Sequence, residues 1–158
     1  MPRTYRVTFE GVSVSAAQDL IQVVGAAGKI VRVTRYWVGN TNSTLSTAQM
    51  LELRCRFLPA TVSNGSGGTT PAFQKLDPGD AAPSVTALAN NTSKATTNGT
   101  AVVLDEQGVH IYAGCDISFQ PGRAPIVGPS ESFVFELLST VVGTVNLSGG
   151  VEVEETGG

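Results

Sequence analysis

Hydrophobic and polar residues alternate with a period of two along most of this chain, and almost nowhere with the 3.6-residue period of a helix. Such alternation is typical of β-strands that place one face in a core and the other in water. The clearest examples are residues 3–14 and residues 50–58, which run for several full repeats. The pattern therefore predicts an all-β protein.

Eight strands are predicted, and an antiparallel β-sandwich of the jelly-roll type accommodates them, with an immunoglobulin-like sandwich as the second choice. At 158 residues the chain has the size of one domain, so we assign residues 1–158 to a single sandwich. The predicted strands are residues 3–14, 20–24, 29–39, 50–58, 100–104, 109–113, 132–139 and 144–154.

The alternation stops over residues 59–98, which are rich in Gly, Pro, Ser, Thr and Asn. Loops of this length are uncommon in compact domains and are usually functional or disordered. Two apolar groups, residues 72–73 and residues 85–88, are expected to touch the body of the protein or to add a short strand. We predict one long irregular excursion with two anchors, in which residues 64–70 are the most mobile part.

Composition excludes several classes of protein. Charged residues make up only 15% of the chain, against roughly 25% in an ordinary soluble domain. Ten Lys and Arg stand against 13 Asp and Glu with no basic run, so we expect no direct nucleic-acid binding. Apolar runs are far shorter than the ~20 residues that span a bilayer, and the start of the chain lacks an apolar signal region. We expect a soluble chain made in the cytosol, with no membrane partner.

Histidine and cysteine offer little chemistry. His110 is the single histidine, whereas a metal centre of the cupin type needs several imidazoles. We expect His110 to face solvent or an interface. Cys55 and Cys115 lie among apolar strand neighbours and are predicted to be two buried free thiols, with one disulfide as the alternative. A Cys115–His110 pair would lack a third residue to orient it.

Paired carboxylates could catalyse glycoside hydrolysis, but each candidate pair has a simpler interpretation. Asp77 and Asp80 belong to an Asp-Pro-Gly turn signature, and Asp105 and Glu106 are predicted to form a hairpin turn. Three glutamates near the C-terminus are assigned to solubility and edge protection, namely Glu152, Glu154 and Glu155. We therefore assign no catalytic, cofactor-binding or metal-binding residue and expect no enzyme activity.

Two features bear on binding. Arg54 and Arg56 point away from the core, and the simplest interpretation is a solvated face with weak cross-strand pairs. The alternative is that both meet an acidic surface on a partner chain. Trp37 shares the parity of Val31 and is predicted to lie in the core. The alternative is that Trp37 or the adjacent Tyr36 stacks on a sugar ring, as in a carbohydrate-binding module.

Most of the chain also resembles small proteins encoded in the structural gene clusters of tailed phages and prophages. Those proteins are jelly-roll head proteins of the decoration or cement type, which sit on the outside of the icosahedral shell. Six segments carry the resemblance, namely QDLIQV (residues 18–23), GKIVRV (28–33), LELR (51–54), SGGTTP (66–71), LDPGD (76–80) and LSGGVEVEE (147–155).

The resemblance implies a virion structural protein on the outer capsid surface, made in the host bacterial cytoplasm. Such a protein binds where subunits of the major capsid protein meet and stabilises the shell, without any cofactor. The resemblance also implies a homo-oligomer, with a trimer favoured and a dimer as the alternative.

Two segments are expected to contact neighbours on the head, residues 1–6 and residues 59–98. Deleting residues 64–68 is expected to weaken particle binding while keeping the β-sheet content. The alternative function is a carbohydrate- or receptor-binding module of a phage tail or fibre.

Overall fold

The computed structural model describes residues 2–42, 44 and 47–157, and every regular element in them is a β-strand. The predicted all-β class is confirmed. Thirteen strands are present in the described residues where the sequence predicts eight. The strands predicted at residues 100–104 and 109–113 are one strand, and six further strands, four of them only two residues long, lie between the others. The strands are β1 (Arg3–Val14), β2 (Gln18–Val24), β3 (Ile30–Asn40), β4 (Met50–Leu58), β5 (Val62–Ser63), β6 (Gln74–Lys75), β7 (Thr86–Asn91), β8 (Thr96–Thr97), β9 (Val102–His110), β10 (Cys115–Ser118), β11 (Ile126–Val127), β12 (Ser132–Leu137) and β13 (Val145–Thr156).

The strands form two main antiparallel sheets. Sheet A has six strands in the order β10-β3-β13-β1-β6, with β11 also paired to β3. Sheet B has five strands in the order β7-β2-β12-β4-β9, and β5 pairs with β8 in a separate ribbon. One hydrophobic cluster contains residues from both large sheets, so sheets A and B pack as a sandwich.

Aromatic side chains fill the space between the sheets. Tyr5 and Val7 of β1 are buried as their alternation predicts, and Phe133 and Phe135 of β12 are buried in sheet B. The ring of Tyr36 in β3 lies 4.7 Å from that of Phe135 and 6.1 Å from that of Phe133. A buried aromatic side chain of this size contributes about 1.5–3 kcal/mol, so these contacts stabilise the packing of sheet A on sheet B.

A β-bulge at Thr34 reverses the side-chain alternation of β3. The pairing of β3 with β13 shifts register between Val33 and Arg35. As a result Tyr36 is buried in the core, whereas Trp37 is only half-buried on the outer face. The prediction that Trp37 lies in the core is wrong, because the extra residue of a bulge moves every later side chain to the opposite face.

The hairpin turn predicted at Asp105 and Glu106 is also wrong, since both residues lie inside β9. β9 pairs with β4 along its length, and Glu106 is directly opposite Arg54. A register shift leaves Leu104 of β9 without a partner in β4, and the pairing of β9 with β4 then continues through Asp105 and Glu106. The chain turns only after His110.

Residues 59–98 are less irregular than predicted, since they contain β5, β6, β7 and β8. β7 pairs with β2 and extends sheet B. Both predicted anchors are confirmed, because Phe73 and Val85 are buried in the core. Ala95 packs with Leu58 and Val134 in a second, smaller hydrophobic cluster. This cluster places the end of the excursion on the outer face of sheet B.

Candidate functional site

The excursion buries a group of charged side chains against sheet B. Glu136 of β12 is completely buried and contacts three cations. Its Oε1 lies 2.7 Å from Arg54 Nε and 3.0 Å from Arg56 Nε. Its Oε2 lies 2.7 Å from Lys94 Nζ. Because Lys94 belongs to the excursion, these ion pairs connect residues 59–98 to β4 and β12.

Asp19 of β2 completes this buried ionic cluster. Its Oδ1 lies 3.4 Å from Arg56, and its Oδ2 accepts a hydrogen bond of 2.7 Å from the backbone N–H of Ala95. Burial raises the pKa of Asp19, against the opposing effects of that hydrogen bond and of Arg56. Each carboxylate oxygen of Asp19 and Glu136 therefore has a polar partner, and the cluster is arranged to hold the excursion on the sheet.

The solvated face predicted for Arg54 and Arg56 is wrong. Both side chains point away from the core and make cross-strand contacts, as expected, but they are only 27% and 12% exposed. The acids that they meet belong to the same chain and are not on a partner. Sequence reasoning missed this cluster because Lys94 and Asp19 are distant in the chain and reach the arginines only through the tertiary fold.

Residues 64–68, predicted to belong to the most mobile segment, are held by specific contacts. The side chain of Gln22 donates a 2.8 Å hydrogen bond to Asn64 and accepts one of 3.1 Å from the Gly65 N–H. The backbone of Gly68 lies so close to β7 that an added Cβ would be 2.0 Å from the carbonyl oxygen of Ala89. These contacts make the glycine-rich segment part of the packed structure.

The outer face of sheet A carries Trp37 together with two arginines. The indole lies over Gly150, where an added Cβ would be 2.7 Å from the ring. The guanidinium carbons of Arg35 and Arg6 lie 4.9 Å and 5.6 Å from the ring centroid. Glu152 accepts hydrogen bonds from both, at 2.9 Å from Arg6 and 3.5 Å from Arg35. The order β3-β13-β1 brings these residues together, and no sequence pattern indicates it.

The other sequence candidates lie on different elements. His110 is exposed at the end of β9, as predicted, and its ring packs 5.2 Å from that of Tyr112. Asp77 accepts a 2.8 Å hydrogen bond from the Gly79 N–H, which confirms the predicted turn. Asp80 lies 3.9 Å from Arg3 at the start of β1.

The edge-protecting role predicted for the C-terminal glutamates is wrong, because β13 is a central strand between β3 and β1. Glu155 is buried, and its Oε2 accepts hydrogen bonds of 2.9 and 3.0 Å from the backbone N–H groups of Ser84 and Val85. Glu152 pairs with the arginines beside Trp37. Glu154 lies opposite Arg32 in the strand register.

Both cysteines are buried free thiols, which confirms that prediction. Burial raises the pKa of Cys55 well above its ordinary value and that of Cys115 to about 11. The Gln107 side-chain nitrogen lies 3.2 Å from Cys115 Sγ and 3.2 Å from Asp105. Asp105 also accepts a 2.7 Å hydrogen bond from the Tyr36 hydroxyl. This part of the core is therefore held by polar contacts between the two sheets.

A shallow cleft brings the N-terminus and the excursion together. The backbone N–H of Leu76 donates a 3.1 Å hydrogen bond to the Thr4 carbonyl, and the Tyr5 hydroxyl donates one of 3.0 Å to Ala81. The side chain of Leu76 is 45% exposed beside this contact. We call this surface the N-terminal cleft, and its lining residues are Pro2, Thr4, Leu76, Asp77 and Asp80.

Among the described residues, no group of three His, Cys, Asp or Glu side chains is placed to hold a metal ion. The same part of the chain contains no helix long and apolar enough to cross a membrane. Searches of protein-family models, of curated proteins and of solved structures found no match to this chain.

Proposed function

We propose that this chain is a virion structural protein, a decoration or cement protein that binds the outer surface of a tailed-phage head. In this proposal it sits between subunits of the major capsid protein and stabilises the shell. The observation that carries the proposal is the N-terminal cleft. Of the two segments expected to contact neighbours, residues 1–6 and residues 59–98, the first is described from Pro2 onward; the two lie side by side there and expose Leu76.

The finer architecture that we propose is a jelly roll. β1 pairs with β13, β2 with β12, β3 with β10 and β4 with β9. In these pairs the early strands β1 to β4 pair in turn with the late strands β13, β12, β10 and β9, as in one long hairpin rolled into two sheets. This pattern supports a jelly roll over an immunoglobulin-like sandwich.

The packing of the excursion supports a bracing role. The buried ionic cluster and the glycine-rich segment hold two parts of residues 59–98 on sheet B, and β6 holds the part beside the N-terminal cleft on β1 of sheet A. A contact surface built on these segments is therefore rigid before it binds. A preorganised surface loses little conformational entropy on binding, and many copies on one shell gain from effective concentration.

A density gradient of a lysate of the source phage tests the proposal. We expect the chain to co-sediment with DNA-filled heads at a fixed ratio to the major capsid protein, measured by mass spectrometry. If the chain stays at the top of the gradient while heads sediment without it, the proposal is wrong.

A variant locates the contact. Leu76→Lys places a charge in the N-terminal cleft and is expected to weaken head binding at least tenfold, about 1.4 kcal/mol. Ile126→Lys is the matched control, because Ile126 of β11 is similarly exposed and lies outside the cleft. Equal loss of binding by both variants would contradict the assignment of the cleft.

A carbohydrate- or receptor-binding module of a tail or fibre is the second candidate. Trp37 favours it, since the bulge at Thr34 places the indole on the outer face of sheet A. Trp37 is the single tryptophan of the chain, so its fluorescence reports on that surface alone. Saturable quenching by a host surface glycan would support this function, and unchanged fluorescence would count against it.

A further inference from the structure

Two Asn-Gly steps of nearly the same local sequence lie at the two ends of the β5–β8 ribbon. Residues 63–66 read Ser-Asn-Gly-Ser, and residues 97–100 read Thr-Asn-Gly-Thr. Asn64 directly follows β5, and Asn98 directly follows β8. An asparagine that precedes glycine readily loses its side-chain amide, because glycine has no Cβ to shield its backbone nitrogen. The local sequence gives both steps a similar reactivity, so a difference between them comes from the fold.

The reaction is an attack by the backbone nitrogen of the glycine on the side-chain carbonyl carbon, Cγ, of the asparagine. The N–Cγ bond forms and the Cγ–Nδ2 bond breaks, so the amide leaves as ammonia with the proton that the backbone nitrogen gives up. Water then opens the cyclic imide at either carbonyl and leaves an aspartate or an isoaspartate. The glycine N–H must therefore be free to lose its proton.

At the first step both reacting groups are held by the buried side chain of Gln22. The Gly65 N–H donates a 3.1 Å hydrogen bond to Gln22 Oε1, and Asn64 Oδ1 accepts one of 2.8 Å from Gln22 Nε2. Gly65 is itself buried, and an added Cβ there would lie 2.6 Å from Asn91 Nδ2. Ring closure at Asn64 would take the donor away from a buried carbonyl oxygen, which costs free energy.

At the second step the same groups are open to solvent. Asn98 and Gly99 are both exposed, and the Gly99 N–H donates a 3.1 Å hydrogen bond to the hydroxyl of Thr97 in an exposed, local contact. Water can replace this contact without leaving an unpaired group in the interior. The Asn98 N–H donates a 3.1 Å hydrogen bond to the Thr61 carbonyl, and this N–H takes no part in the ring closure.

We propose that Asn98 is a site of spontaneous deamidation in the folded protein, and that Gln22 protects Asn64 from the same reaction. The modification adds a carboxylate to the turn after β8, in a chain whose formal net charge is already −3. Ala95, just before β8, packs on the outer face of sheet B, so the new charge lies beside that face. The reaction belongs to this chain alone, so purified protein tests it independently of head binding.

Peptide mapping by mass spectrometry follows both steps in one sample of the purified chain, incubated in mildly alkaline buffer with and without urea. In the folded protein we expect Asn98 to convert, and Asn64 to convert more slowly by a factor on the order of ten. In urea we expect similar rates, which makes the unfolded chain the control for local sequence. Equal rates in the folded protein, unequal rates in urea, or an Asn98 that stays intact would each overturn the proposal.

Isoelectric focusing gives a second measurement of the modified form, which carries the added negative charge. Asn98→Gln is expected to abolish the acidic form, because the longer side chain must close a larger ring. Asn64→Gln is the matched control and is expected to leave the acidic form in place. Loss of that form from both variants, or from neither, would contradict the assignment to Asn98.

A pair of variants tests the protective role of Gln22. Gln22→Met keeps a side chain of similar size and removes both contacts with the first step, so Asn64 is expected to convert at a rate near that of Asn98. Ser132→Ala is the control, because it removes the 3.0 Å hydrogen bond that Gln22 donates to Ser132 and keeps the contacts with Asn64 and Gly65. Circular dichroism checks that both variants are folded. A slow Asn64 in folded Gln22→Met, or a fast one in folded Ser132→Ala, would show that Gln22 is not the protecting residue.

Discussion

Glu136 of β12 lies directly opposite Arg54 of β4, and their side chains meet at 2.7 Å with the carboxylate completely buried. Arg54 also approaches Glu106 on its other side, at 4.0 Å. The two contacts differ in burial, since the Glu106 side chain is 56% exposed. One arginine therefore makes a buried and an exposed ion pair, and the carboxylate of the buried pair also binds Lys94 of the excursion.

Replacing Glu136 is expected to destabilise the protein strongly. Glu136→Leu leaves Arg54, Arg56 and Lys94 without their shared carboxylate, and removing one partner of a buried ion pair costs about 3–5 kcal/mol. Glu106→Gln is the matched control and is expected to cost less than about 1 kcal/mol. Urea unfolding followed by circular dichroism measures both. A similar loss in the free energy of unfolding for the two variants would show that the buried ion pairs of Glu136 stabilise the fold no more than the exposed pair of Glu106.

The raised pKa of Asp19 predicts a pH dependence of stability. In the folded state this carboxyl holds its proton to a higher pH than in the unfolded chain, where it titrates near its ordinary value of 3.8. Its contribution is therefore fully present below pH 3.8 and is lost as pH rises through the raised pKa. The free energy of unfolding, relative to that of Asp19→Asn, is expected to fall across this window and then to level off.

The pKa of Asp116 is shifted in the opposite direction to that of Asp19. The side-chain hydrogen bond from Arg35 lowers the pKa of Asp116, so its contribution is present above pH 3.8 and is lost as pH falls through the lowered pKa. Relative to Asp116→Asn, the free energy of unfolding is expected to rise with pH in this range. The same slope for Asp19 and Asp116 in urea titrations would contradict the assignment of burial as the main effect at Asp19.

The glycine-rich segment is expected to be sensitive to a single methyl group. Gly68→Ala forces a Cβ to within 2.0 Å of the Ala89 carbonyl oxygen, and overpacking of this kind costs about 1–3 kcal/mol. Gly39→Ala is the control, because an added Cβ at Gly39 meets open space. Thermal unfolding compares the two variants. An unchanged melting temperature for Gly68→Ala would indicate that the glycine-rich segment is loosely held, as the sequence predicts. Deleting residues 64–68 is accordingly expected to perturb the fold, in contrast to the sequence-based expectation.

Local patterns in the sequence predict much of this fold. The bounds of β1 and β4 agree with the predicted residues 3–14 and 50–58, because alternation of apolar side chains is a property of one strand and the core it faces. The buried thiols, the turn at Asp77 and the anchors of the excursion follow from the same local reasoning.

Features that depend on a neighbouring strand could not be predicted. The bulge at Thr34 is defined by the pairing of β3 with β13, and it places Trp37 on the outer face of sheet A. The bulge at Leu104 is defined by the pairing of β9 with β4, which continues through the residues predicted to form a hairpin turn. The N-terminal cleft and the buried ionic cluster likewise join segments far apart in the chain. The sequence predicts that Arg54 faces outward, but only the tertiary fold brings Lys94 to the same carboxylate, that of Glu136.

The two cysteines are expected to be unreactive in the folded protein. Both are buried, and burial raises the pKa of Cys115 to about 11, so almost no thiolate is present at neutral pH. Because the thiolate is the reactive form, a thiol reagent such as Ellman's reagent is expected to modify neither residue until the chain unfolds. In denaturant both thiols should react, and the reaction rate along a urea titration should follow the unfolding curve. Rapid modification of one thiol under native conditions would show that the sandwich opens locally, and Cys115→Ser would then identify whether the β10 side of the sandwich is the part that opens.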